Sequence, residues 1–211
     1  MNLHLQRGRA GLMLAALAMV GSFYAPGSAR ADFVLSGNLD APTGGQETAA
    51  GDTWITSSFG GGSSATALSS ITLLLSSADA GVAALAIYSD SGLQPGDLIG
   101  TLIQDGSFST ALSAVTFSAS GIVLSADTTY WVVLKATSGS VGWAWASNNA
   151  GSGEGFQSTF GSTDDAGGTW FTQETYYPQQ MRVSAAAVPE PGSMVLIGVG
   201  LAGVFIAARR R

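Results

Sequence analysis

A chain of 211 residues is long enough for one sizeable hydrophobic core. It has no cysteine and a single histidine, His4, which excludes a disulfide framework, a thiolate zinc site and a Cys nucleophile. Of its eight basic residues only Lys135 and Arg182 lie between Asp32 and Val188, against thirteen acids; that body carries a formal charge of −11 and lacks the cationic patch that nucleic-acid binding requires.

The first 31 residues, MNLHLQRGRAGLMLAALAMVGSFYAPGSARA, have the three parts of a secretory signal peptide. Arg7 and Arg9 supply a positive start, Ala10 to Tyr24 an apolar stretch, and Ala29-Arg30-Ala31 a small-x-small cleavage site. Cleavage by signal peptidase after Ala31 leaves Asp32 as the first mature residue. The alternative, an uncleaved anchor, is disfavoured by the Pro26-Gly27 break ahead of that site. Loss of the leader also removes His4, so the mature chain has no imidazole base for a Ser-His-Asp triad and no histidine ligand for a metal.

From residue 32 to 187 short apolar runs alternate with Gly/Ser/Asp/Asn clusters, and no capped helical periodicity interrupts them. The pattern predicts an all-β domain with strands at Thr53 to Phe59, Ser70 to Leu75, Val82 to Tyr88, Leu98 to Ile103, Ala114 to Phe117, Gly121 to Leu124, Thr129 to Ala136, Val141 to Ser147 and Met181 to Ala185. Nine short strands point to a two-sheet antiparallel β-sandwich, jelly-roll-like. Ile71, Leu73 and Leu75 share one strand face, as do Tyr130, Val132 and Leu134, and both sets are expected in the core. Residues 150–169, AGSGEGFQSTFGSTDDAGGT, are poor in aliphatics and read as a long surface loop or irregular hairpin.

Three stretches of this body, IYSDSGLQPGDLIGTL (Ile87 to Leu102), GIVLSADTTYWVVL (Gly121 to Leu134) and the strand around Trp143, resemble the exported modules called choice-of-anchor R domains. The resemblance implies a compact extracellular β-sandwich and carries no reaction with it.

The last 24 residues, VPEPGSMVLIGVGLAGVFIAARRR, are of another kind. Residues 192–208 carry no charge, and as a helix they reach roughly 25 Å at about 1.5 Å per residue, the short limit for a membrane span. A buried core helix is the competing reading, but it leaves Arg209, Arg210 and Arg211 unexplained. By the positive-inside rule those arginines stay in the cytoplasm and the body lies across the inner membrane. The order Pro189-Glu190-Pro191, apolar helix, basic terminus resembles the PEP-CTERM sorting signal of Gram-negative bacteria. That resemblance implies a temporary membrane tether, cut near Pro-Glu-Pro by an exosortase that passes the body to the cell exterior, often beside extracellular polysaccharide. Two prolines deny the segment regular backbone pairing and leave it extended, as a protease needs.

Residues able to carry chemistry are few. A Ser-Lys dyad would have to use Lys135, whose surroundings read as a solvated strand end. Paired carboxylates could serve a glycosidase, but no pair among the acids stands out. Calcium has candidate oxygen ligands in Asp90 and Asp97, which bracket DSGLQPGD, and in Asp164 and Asp165; solvated turn acids are the simpler account, and no cofactor is expected. Trp143 and Trp145 alternate on one strand and project from the same face. Outward, they form a platform for sugar rings; inward, they are core, which is the expected case, and Trp131 and Trp170 are read in the same way. The sequence therefore describes a signal peptide (1–31), a β-sandwich domain (32–187) and a sorting segment (188–211). The expected role is that of a non-enzymatic surface or matrix protein, with a lectin-like module, calcium-dependent or not, as the alternative and a carboxylate glycosidase behind it.

Overall fold

The computed structural model describes residues 31–79 and 81–188. The leader through residue 30, Ala29 included, and the sorting segment from Pro189 onward, with Glu190, Pro191, the apolar run and Arg209, Arg210 and Arg211, lie outside the described residues.

Thirteen strands follow one another without a helix among the described residues. They are β1 (Phe33–Gly37), β2 (Thr43–Ala50), β3 (Trp54–Gly60), β4 (Thr66–Ser76), β5 (Val82–Asp90), β6 (Pro95–Asp105), β7 (Ser113–Ser118), β8 (Val123–Leu124), β9 (Thr129–Ser138), β10 (Ser140–Ala146), β11 (Thr159–Thr163), β12 (Phe171–Glu174) and β13 (Met181–Ala187). Every pairing is antiparallel. One ladder runs β1-β13-β4-β7-β6-β5-β9-β3-β11-β12, with β8 and β10 added to β4 and β2 added to β10. Because β6 pairs with both β5 and β7, the ladder is continuous: the strands expected as two sheets form one sheet that curls over its own core.

The long strand β4 organises one side. It pairs with β13 along Thr66 to Leu73 and with β10 at Leu75 and Ser76, while β7 and β8 take its other edge. Ile71, Leu73 and Leu75 are fully buried, as their alternation predicts, together with Phe117 of β7 and Val183 and Ala185 of β13. Across the core stand Ile55 and Phe59 of β3, Leu85 and Ile87 of β5, and Tyr130, Val132 and Leu134 of β9. Phe59 and Tyr130 stack with ring centroids 5.7 Å apart. Full burial of each such aliphatic side chain is worth about 1.5–3 kcal/mol, and in a chain without cysteine this burial is the main source of stability. β9 is buried on both faces, since Trp131 and Val133 are covered as well.

All nine predicted strands are present, with ends moved by a few residues. Four more, β1, β2, β11 and β12, are not predicted by periodicity. β11 begins inside the stretch read as a loop and pairs with β12 in a hairpin and with β3 beyond it. The turn from β9 to β10 is tight, with Gly139 at φ +62°, a backbone that favours glycine. Asp79, after β4, clasps it: one carboxylate oxygen accepts the Ser140 N–H at 3.0 Å and the other accepts the Ser140 hydroxyl at 3.1 Å.

Candidate functional site

Trp143 and Trp145 sit in β10 opposite Glu47 and Gly45 of β2, on one face of the ladder as the alternation requires, yet at different depths. Trp143 is wholly buried, and its indole N–H donates to the Gln180 carbonyl at 2.9 Å. It belongs to the core and cannot meet a ligand. Trp145 is half-buried at the rim, where β2 and β10 approach the β11–β12 hairpin.

There Trp145 lines a cleft of about 330 Å³ with Glu47, Phe160, Gln173, Tyr177 and Gln179. Two glycines set its indole. The β2–β10 register slips between Trp145 and Ala146, leaving Gly44 as the extra residue of a bulge. A Cβ at Gly44 would fall 1.9 Å from the indole and one at Gly45 2.6 Å from it, so the ring lies directly on the β2 backbone. Tyr177 meets the indole edge-on, with centroids 5.7 Å apart and planes at 64°. The two rings form an aromatic corner, and Tyr177 is more than half exposed.

The polar side of the cleft is anchored through Gln179. This residue is almost completely buried and bridges to Trp145 through the backbone; its amide Nε2 donates to Glu47 Oε2 at 3.2 Å. Its Oε1 has no hydrogen-bond partner within the protein. Asn38 holds the same stretch in place, donating to the Gln179 carbonyl at 3.1 Å and accepting the Met181 N–H at 2.8 Å. Burial pushes the Glu47 carboxyl above its ordinary range, the Asp164 charge pushes it the same way, and the bond from Gln179 opposes both. Among the described residues no lysine or arginine lines the cleft.

The acids considered for calcium are placed as follows. Asp90 accepts the indole N–H of buried Trp131 at 2.8 Å. Asp97 lies on the returning strand, its backbone N–H donating to Ser89 Oγ at 2.9 Å. Asp164 accepts the Thr53 hydroxyl at 3.0 Å, and Asp165 closes a local turn by accepting the Thr163 hydroxyl at 2.6 Å and the Thr169 N–H at 2.8 Å. Those bonds hold the Asp165 carboxyl below the usual range, led by the Thr163 hydroxyl. Among the described residues no three His, Asp or Glu side chains converge in a way that could hold a metal ion. Lys135 lies 4.9 Å over the Trp54 ring in a cation–π contact.

Of the residues singled out in the sequence, the structure brings only Trp145 to the cleft; Glu47, Phe160, Gln173, Tyr177 and Gln179 are additions. The one local signal for them is the Gly44-Gly45 pair, since glycines inside a strand mark the close approach of another group.

Residues 187–211 match the family described as the PEP-CTERM protein-sorting motif. The match begins at Ala187, the last residue of β13, so folded domain and sorting signal adjoin without a linker. No curated protein matches the chain.

Proposed function

We propose that this is an exported, non-enzymatic surface protein. Signal peptidase removes the leader, the C-terminal helix holds the precursor in the inner membrane, and an exosortase cuts near Pro189-Glu190-Pro191 and sends the domain to the cell surface. There it associates with extracellular polysaccharide as an all-β module of the choice-of-anchor R kind. The observation that carries this reading is the sorting motif at residues 187–211 directly after the last strand. Intact-mass analysis of the protein recovered from the cell surface is the test: the expected chain begins at Asp32 and lacks the apolar tail. A full-length chain, or one confined to the cytosol, overturns the reading.

A second reading, a saccharide-binding module, is favoured by one observation: Trp145 stands in an open cleft beside Tyr177 and Glu47.

A further inference from the structure

We propose that the cleft between Trp145, Tyr177 and Glu47 binds a pyranose unit that carries no anionic group, within a polysaccharide, and that it does so at the end of β13 opposite to the one from which the sorting segment departs. The inference deepens the saccharide-binding reading by naming the site, the ligand class and its direction.

A sugar ring offers a weakly polar C–H face and a rim of hydroxyls that both donate and accept. Trp145 and Tyr177 supply the complement to the face, an aromatic corner with one indole side backed by Gly44 and Gly45. Because any larger residue at those positions would collide with the ring, the indole is held in place before a ligand arrives, and little side-chain entropy is left to lose. Glu47 supplies a carboxylate acceptor, and the exposed Gln173 supplies an amide that suits neighbouring hydroxyls. Gln179 is almost wholly buried and its amide N–H holds Glu47 Oε2 at 3.2 Å, so the carboxylate acceptor is fixed from within the fold.

Charge narrows the ligand. Glu47 and nearby Asp164 make the cleft anionic and no base among the described residues lines it, which disfavours uronate, sulfated or phosphorylated sugars. Its volume of about 330 Å³ lies at the small end of ligand clefts, roughly 300–1,000 Å³, and fits a chain end or a single unit rather than a long groove. Direction follows from β13. Gln179 bridges to Trp145 just before that strand begins, and Ala187 ends it where the sorting motif starts. At roughly 3.4 Å per residue the two ends lie about 27 Å apart. The tether leaves one end and the cleft opens at the other.

The test is calorimetric titration of the full-length chain, in phosphocholine micelles, with neutral hexasaccharides of glucose, galactose and mannose, and with hexagalacturonate as the charged probe. Expected is binding of at least one neutral probe over hexagalacturonate. Trp145→Ala should weaken it roughly tenfold or more and Glu47→Gln several-fold, with Trp170→Ala unchanged. Gly45→Ala, which touches no sugar, should also weaken binding by displacing the indole. Unfolding transitions are recorded for each variant, and if Trp145→Ala does not fold, Glu47→Gln and Tyr177→Ala decide. Absence of binding to every neutral probe at millimolar concentration overturns the proposal, as does preference for the charged probe or undiminished binding in the cleft variants. These outcomes are distinct from failure of the sorting reading, since a correctly processed surface protein without saccharide affinity sinks the cleft alone.

Discussion

Phe33 of β1 lies directly opposite Ala185 of β13, and the two strands run antiparallel. The first strand after the expected signal cleavage and the last strand before the sorting motif therefore have their outer ends side by side. The described chain thus begins and ends at one end of the domain. Ser69 reinforces the arrangement by donating to Asp32 at 2.8 Å.

This placement limits where a sorting protease can cut. β13 lies between β1 and β4 and pairs with β4 through Ala187, so removal of any part of it strips partners from both neighbours. The mature C-terminus is expected at Ala187 or later, read from intact mass. A chain ending at Gln180 should show no cooperative thermal transition, whereas one ending at Val188 should melt as the full domain does.

Trp143 and Trp145 should separate in stability as they do in depth. Trp143→Ala empties a fully buried indole site and is expected to cost about 3–5 kcal/mol in urea denaturation. Trp145→Ala, at the half-buried rim, should cost less than about half of that.

Asp79 is expected to govern part of the acid limb. The Ser140 N–H, followed by the Ser140 and Ser77 hydroxyls, holds its carboxyl below the ordinary range. A depressed carboxyl contributes stability above its unfolded pKa, and the contribution is lost as pH falls through the folded one. Asp79→Asn should lower the melting temperature at neutral pH, and its gap from the native chain should close at strongly acid pH.

Glu47 carries the opposite sign. Its raised carboxyl favours the protonated fold, so its contribution is present below the unfolded pKa and is lost as pH rises through the folded one. Glu47→Gln is expected to raise the melting temperature at neutral pH, with the gain disappearing in acid; a variant that destabilises at neutral pH refutes this.

Asp90 is expected to act through Trp131. Asp90→Ala leaves the buried indole N–H without its acceptor and should cost about 1–3 kcal/mol. The loss should be the same in millimolar calcium and in chelator, measured by urea denaturation in each.

Strands such as β4 and β9 are legible because their inward residues are apolar and recur every second position; the burial of Ile71, Leu73 and Leu75 needs nothing beyond that local pattern. β2 is illegible for the converse reason. Its inward positions are Gly45, Glu47 and Ala49, a half-buried carboxylate and two small residues where an apolar run would announce a strand. β12, FTQE, is an exposed edge strand and carries no apolar alternation either.

The sorting motif at residues 187–211 is written in consecutive residues, Pro189-Glu190-Pro191, an apolar run and a basic end, and the sequence determined it by itself because its recognition depends on local order and not on the fold. Which tryptophan reaches the surface was decided only by the tertiary structure. Trp143 and Trp145 have the same local pattern, and their difference in depth comes from how far the curled sheet covers β10. The cleft likewise depends on Glu47 meeting Gln179 across 132 residues, a contact made by chain closure and invisible to any local window.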